Sequence, residues 1–269
     1  PPRPDLPMSP ARRDAPLTRR DLLKAAGLAG VGLALPASPL ESAPPPQRRP
    51  LEASMLGVPF ARHETVRLAI VGTGLRGRSV LNEWLAVDGV RITALCDIVP
   101  EKAARAAKMV TDAGQPMPAL YTDGERDFER LVTRDDIDIV YTAPPWQWHV
   151  PVCLAAMTHG KQAATEVPAA STIEDCWALV RTSEATRRHC LMMENCCYDR
   201  TEMQILNMVK HGLFGELLHG ECGYLHDLRG VKFSEGGEGL WRRHWSMTHN
   251  CNLYPTHGLG PVAQCMDIN

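Results

Sequence analysis

The run Val66-Arg67-Leu68-Ala69-Ile70-Val71-Gly72-Thr73-Gly74-Leu75-Arg76-Gly77 decides how this chain is read. Its first six residues form a short, nearly continuous apolar stretch, the signature of a buried strand. Three glycines follow at the spacing Gly-x-Gly-x-x-Gly, and a helical pattern continues through Val80, Leu81, Trp84 and Leu85. Such a triplet alone is weak, but between a strand and a helix each glycine has a physical task. Gly72 permits the tight turn, Gly74 lets backbone approach a pyrophosphate, and Gly77 lets the helix pack on the strand. The helix N-terminus then offers unpaired N–H groups and a favourable dipole to the phosphates.

The next strand, Ile92-Thr93-Ala94-Leu95-Cys96-Asp97, ends on an acid at the spacing where a carboxylate takes a ribose 2′-hydroxyl. No Arg or Lys occurs among the three residues that follow, so a 2′-phosphate would meet a carboxylate without a cation. That predicts NAD as the cofactor rather than NADP. The alternative is that Asp97 only caps the helix beginning near Pro100.

Working outward, Ile137–Thr142 reads as another buried strand, broken by Pro144-Pro145, with a helix from Trp146 through Met157. Gln162–Thr165 is a short strand ending at Glu166-Val167-Pro168. A helix over 172–186 and a strand over 189–193, ending at Glu194-Asn195, complete the alternation. Strands alternating with helices predict a doubly wound parallel α/β sheet of Rossmann type, with ligands at the carboxyl ends of the strands. We assign 60–198 to this NAD-binding domain. From Thr201 the pattern changes: a helix to Lys210 ends at Gly212, and Glu216–Tyr224 alternates like an antiparallel strand. Residues 199–269 therefore read as the start of a truncated α+β open-sheet substrate domain, thin for an independent core.

Residues 1–50 stand apart. Thr18-Arg19-Arg20 precedes the mildly apolar Ala25–Leu35, then Pro36-Ala37-Ser38 and a proline-rich linker to Pro50. A membrane span needs about 20 apolar residues, and this run is shorter. It reads as a twin-arginine signal, which makes the twin-arginine translocase a partner and places the mature protein in the periplasm or outside the cell. That route carries folded cargo, which suits a protein that loads a cytoplasmic dinucleotide before export. The net charge of −2 gives no electrostatic case for a nucleic-acid partner. The nine cysteines include no Cys-x-x-Cys and read mostly as small buried apolar residues.

These residues together resemble a known family. Gly72–Gly77, Asp97 and Glu166-Val167-Pro168 are similar to the Gfo/Idh/MocA oxidoreductase superfamily, which usually carries a catalytic lysine where this chain has Val167. The closer resemblance is to glycoside hydrolase family 109, the NAD-dependent α-N-acetylgalactosaminidases. It rests on Trp146-Gln147-Trp148-His149, Glu166-Val167-Pro168, Met192-Met193-Glu194-Asn195, Arg242-Arg243-His244-Trp245 and Asn252–Pro261. Cys251 stands where that family usually has glycine. The resemblance implies NAD contacts at Leu75, Arg76, Asp97, Trp146, Gln147, Trp148, His149, Glu166, Val167, Asn195 and Tyr254. It implies substrate contacts at Tyr224, Arg243, Tyr254, Pro255, Thr256 and His257, on a glycan or glycoside.

An ordinary glycosidase sets two carboxylates across the scissile bond. An NAD-dependent one would oxidise C3 of the sugar transiently, eliminate across C1–C2, add water and return the electrons, with no net redox change. That scheme needs a base at the C3 hydroxyl and another at C2. His257 is the candidate for the first, because imidazole titrates near neutral pH. Tyr198 is the candidate for the second, and a phenol there needs activation by a cation. The structural alternatives are a turn histidine, a buried phenol, a surface ion pair for Arg243 and core packing for Trp146 and Trp148. The spacing of His244, His249 and His257 fits no standard metal site, so no metal is expected. A sugar oxidoreductase is the competing enzyme class, and a non-catalytic NAD- or glycan-binding module the third reading. The aglycone, the anomer and the oligomeric state, a homo-oligomer included, are left open.

Overall fold

In a computed structural model, residues 54–234, 238, 240–253 and 255–268 are described. The twin-arginine segment, its linker and Tyr254 lie outside the described residues. Six strands form one parallel sheet in the order β3-β2-β1-β4-β5-β6. They are β1 (Val66–Val71), β2 (Val90–Cys96), β3 (Ala119–Tyr121), β4 (Ile139–Thr142), β5 (Gln162–Thr165) and β6 (Cys190–Met192). The order reverses between β1 and β4, and that reversal opens a crevice at the carboxyl ends.

The apolar run of β1 is buried on both faces because helices cover both. Leu68 and Ile70 point into a cluster with Val80 and Leu81 of α1 (Leu75–Leu85) and Ala106, Ala107 and Val110 of α2 (Pro100–Asp112). Ala69 and Val71 point the other way, toward Leu131 of α3 (Phe128–Leu131) and Val150, Cys153, Ala156 and Met157 of α4 (His149–Thr158). The period of two along the strand thus assigns alternate side chains to two different cores. In α2, small residues at 103, 106, 107 and 110 form the buried stripe, and Pro100 takes the first turn, where a missing N–H costs nothing. Helix α5 (Ile173–Thr186) starts at Thr172, whose side chain accepts from the Asp175 amide at 3.1 Å.

After β6 come a 3₁₀ turn (Asn195–Cys197), α6 (Arg200–Lys210), α7 (Arg229–Phe233), α8 (Trp241–Thr248) and α9 (Thr256–Met266). None of these four helices buries a residue fully. Glu216–Tyr224, expected as a strand, runs as an irregular segment; among the described residues no strand lies beside it. Its alternation supplies an apolar face, but a strand also needs a neighbour for its N–H and C=O groups. All nine cysteines are free thiols, and only Cys96, Cys153 and Cys197 are buried, which corrects the expectation for the others. Cys176, Cys222 and Cys251 are exposed, two of them in the stretch that has no core of its own. Among the described residues no helix is long and apolar enough to cross a membrane.

Candidate functional site

The glycine loop turns directly off β1 over the crevice. Gly72 has φ +85°, and a Cβ there would lie 2.5 Å from the Pro144 nitrogen, so both backbone and space require glycine. A Cβ at Gly77 would lie 1.9 Å from the Gly72 carbonyl oxygen, which is what lets α1 begin so close to β1. At Gly74 the nearest atoms are the carboxylate oxygens of Glu238. The Leu75 N–H at the start of α1 donates to Glu238 Oε1 at 2.7 Å. An anion already sits where a helix N-terminus favours one, so the loop fits a phosphate by its chemistry as well as its spacing.

Around this loop lies a cleft of about 910 Å³. It gathers Gly72, Gly74, Leu75, Arg76, Asp97, Trp146, Gln147, Trp148, His149, Glu166 and Val167, as the sequence predicts for the cofactor. Asp97 Oδ2 accepts from the Thr73 amide at 2.8 Å and its hydroxyl at 3.0 Å, while Oδ1 accepts from the Val99 amide at 2.9 Å. It therefore ties the loop to the start of α2 and also faces the cleft. A carboxylate has about four lone-pair sites, so these bonds leave capacity for a ribose hydroxyl. Sequence reasoning did not name Lys102 and Arg105, which also line the cleft from α2. Their signal is the spacing from Pro100, which turns both toward the crevice from the first turns of a helix.

Buried Glu166 accepts from the Tyr141 hydroxyl at 2.9 Å and pairs with Arg76 Nε at 2.8 Å. Burial, reinforced by the Glu166 carboxylate, pushes the Tyr141 phenol well up, so it stays a donor. His149 is buried, with Nδ1 2.7 Å from the Pro168 carbonyl and Nε2 3.1 Å from the Pro144 carbonyl. Burial lowers its pKa below the ordinary value of 6.5 and keeps the ring neutral. A neutral imidazole has one N–H, so it donates to only one of these two carbonyls. The Trp146 ring meets Trp241 and Trp245 edge-on at 5.1 and 5.7 Å, with the Arg242 guanidinium 5.4 Å from its centroid. Helix α8 thereby closes one side of the cleft. Arg242 lines it, whereas Arg243 is exposed, its guanidinium 5.9 Å from the Phe233 ring.

The residues expected on the substrate side form a second group. His257, in the first turn of α9, places Nδ1 2.5 Å from Glu194 Oε1, and its ring meets Tyr224 edge-on at 4.8 Å. Thr256 and Pro255 are half-buried at the same helix start. Asn195, expected as a cofactor contact, does not line the cleft but opens the neighbouring 3₁₀ turn, and Tyr198, just beyond that turn, is 65% exposed. Glu194, Cys196 and His257 bring one potential ligand atom each within 4.8 Å. A hydrogen bond from His257 Nδ1 to Glu194 Oε1 joins two of the three. Glu194 was missed as a site residue, although it stands at the carboxyl end of β6, where the fold concentrates ligand contacts.

With this geometry in place, two family models match the chain in sequence. Residues 66–195 match the oxidoreductase family with an NAD-binding Rossmann fold, and residues 198–269 match the C-terminal domain of glycosyl hydrolase 109. A glycosyl hydrolase family 109 protein of Saccharopolyspora erythraea is 52% identical over 259 residues, which covers 96% of this chain and 56% of that protein. One from Solibacter usitatus is 51% identical over 254 residues, covering 94% and 56%. The chain thus spans about half the length of the relatives it matches. Among solved structures, a myo-inositol dehydrogenase of Lactobacillus casei, in complex with NAD(H) and myo-inositol, superimposes with a TM-score of 0.50 at 24% identity over 56% of this chain and 43% of that one. That likeness speaks for the fold.

Proposed function

This chain belongs to glycosyl hydrolase family 109, and we propose that it is an NAD-dependent glycosidase acting on terminal α-linked N-acetylgalactosamine. The observation that carries the hydrolase reading is Val167. It is 2% exposed and lines the cleft at the position where the oxidoreductase superfamily usually has its lysine. An apolar side chain there moves no proton, so proton transfer falls to other residues.

Gly72, Gly74 and Gly77 shape the cradle for the pyrophosphate, Asp97 takes the ribose, and Trp146 to His149 with Glu166 border the rest of the cofactor. When bound, NAD supplies a reversible oxidation at C3 of the sugar, which acidifies C2–H and allows loss of the C1 oxygen before water adds. His257 takes the proton of the C3 hydroxyl. Tyr198 is assigned the C2 proton, and its exposure leaves that proton open to exchange with water. Tyr224, Arg243, Pro255 and Thr256 hold the sugar, with Tyr254 assigned to both ligands. Loading of NAD before export by the twin-arginine route belongs to the same proposal and rests on Thr18–Leu35.

Hydrolysis in D₂O by the full-length protein tests the reading. The released sugar is expected to carry deuterium at C2, without accumulation of NADH. Release of sugar lacking that deuterium overturns the mechanism. NADH rising while the glycosidic bond stays intact identifies a sugar oxidoreductase instead.

A further inference from the structure

Glu194 is a buried carboxylate with an unusual set of partners. Its Oε1 accepts from the Cys196 amide at 3.1 Å and faces His257 Nδ1 at 2.5 Å. Its Oε2 is buried without a hydrogen-bond partner. The two side chains are 5% and 8% exposed, so water contributes little to either. A desolvated carboxylate needs donors aimed at it, and an ionised one can only accept. A carboxylate that accepts at this contact requires the imidazole to present Nδ1 with its proton attached.

The chain is built to make this approach. His257 and Glu194 are 63 positions apart and meet because α9 presses on the 3₁₀ turn Asn195–Cys197. A Cβ at Gly260 would lie 2.8 Å from Cys197 Sγ and 3.2 Å from Glu194 Cγ. A Cβ at Gly258 would lie 3.1 Å from Cys222 Cβ. Gly260 thus gives the helix its close seat against Glu194, and Gly258 its approach to the segment at Cys222.

We infer that Glu194 is the positioning residue of His257, holding the imidazole in the tautomer protonated on Nδ1 so that Nε2 is the basic nitrogen. It rests on the reading of His257 as the base at the sugar hydroxyl. The chemistry is the one that orients histidine bases elsewhere: a carboxylate on one ring nitrogen fixes the proton there and stabilises the imidazolium once the other nitrogen accepts. An imidazolium at the N-terminal turn of α9 would otherwise be opposed by the helix dipole.

Ring-nitrogen NMR of the ¹⁵N-histidine-labelled, NAD-loaded full-length protein tests this, with His257 assigned by the signals lost in His257→Gln. The wild-type neutral ring is expected to carry its proton on Nδ1. In Glu194→Gln the amide can turn its NH₂ toward the ring, and the proton is expected to move to Nε2. The kcat of Glu194→Gln should fall by about 100-fold or more, with KM and NAD content little changed. In a His257→Ala background the same substitution should lower kcat no further, because the two residues act as one unit. A wild-type ring protonated on Nε2 overturns the inference, as does an unchanged tautomer or an undiminished kcat in Glu194→Gln. The wild-type spectrum decides even if Glu194→Gln does not fold. It also needs no turnover, so failure to hydrolyse any glycoside would remove the glycosidase reading while the tautomer is still read.

Discussion

The two halves of the described molecule are built on different physical terms. Among the described residues, every buried apolar one lies between Leu68 and Cys197. From Arg200 onward the helices bury none fully, while Leu218, Leu225, Phe233 and Met247 are 84%, 100%, 64% and 74% exposed. The first half carries two cores on either side of one sheet. The second holds its place by contacts at the first half's ligand end: Trp241 and Trp245 on Trp146, the Trp245 Nε1–H donating to Gln147 Oε1 at 3.3 Å, and α9 on the turn after Glu194. The half that holds the cores thus also holds the dinucleotide cleft. The weakly buried half brings His257 against Glu194 at the end of β6.

That division can be broken experimentally, beginning where the effect is largest. His257→Ala should lower turnover per NAD-loaded molecule by about 10²- to 10⁴-fold, the range of a general base. Dinucleotide released on denaturation should match wild type; activity within about tenfold of wild type would return His257 to a structural role. Leu81→Ala acts in the opposite half. It should cost about 2–5 kcal/mol in urea unfolding, the range for a buried leucine, while the folded fraction keeps its kcat. Asp97→Ala removes a charged acceptor and should weaken NAD retention by about 1.5–3 kcal/mol, measured by equilibrium dialysis. Unchanged retention would leave Asp97 as a tie between loop and helix only.

Two smaller effects sharpen the contrast. Burial holds folded His149 below 6.5, so at intermediate pH the unfolded chain binds a proton that the folded chain refuses. Its contribution is fully present above pH 6.5 and is lost as pH falls toward the folded value, with a slope of at most about 1.4 kcal/mol per pH unit. Urea midpoints over about pH 5 to 8 should show that slope in wild type and a shallower one in His149→Asn. Leu225→Ser, at a fully exposed site, should leave the urea midpoint unmoved.

Much of the first half was legible because its signals are local. The Val66–Val71 run, the glycine triplet and the acid after β2 lie within one β–α–β unit, and each residue's task follows from its immediate neighbours. β5 matched residue for residue, and Thr172 was readable as a helix start. β3 escaped notice: three residues carry no periodicity, and Ala119–Tyr121 is a strand only because it pairs with Ala94–Cys96. Glu216–Tyr224 erred the other way, with strand-like alternation and no strand beside it among the described residues. Tyr141 read as strand filler, and only the sheet shows its hydroxyl reaching Glu166 across neighbouring strands.

What the sequence by itself determined was the dinucleotide fold and a set of side chains that line its cleft. A strand, a glycine turn and a helix are specified within a few residues, where backbone sterics and periodicity leave little choice. Which of those side chains act together was decided by tertiary structure alone. Glu238 reaches the Leu75 amide from 163 positions away, and His257 reaches Glu194 from 63. Arg242, and not its neighbour Arg243, faces the cleft because α8 turns one and not the other toward Trp146. Such pairings depend on how helices dock on a finished sheet, and no local pattern encodes the distance between residues that far apart along the chain.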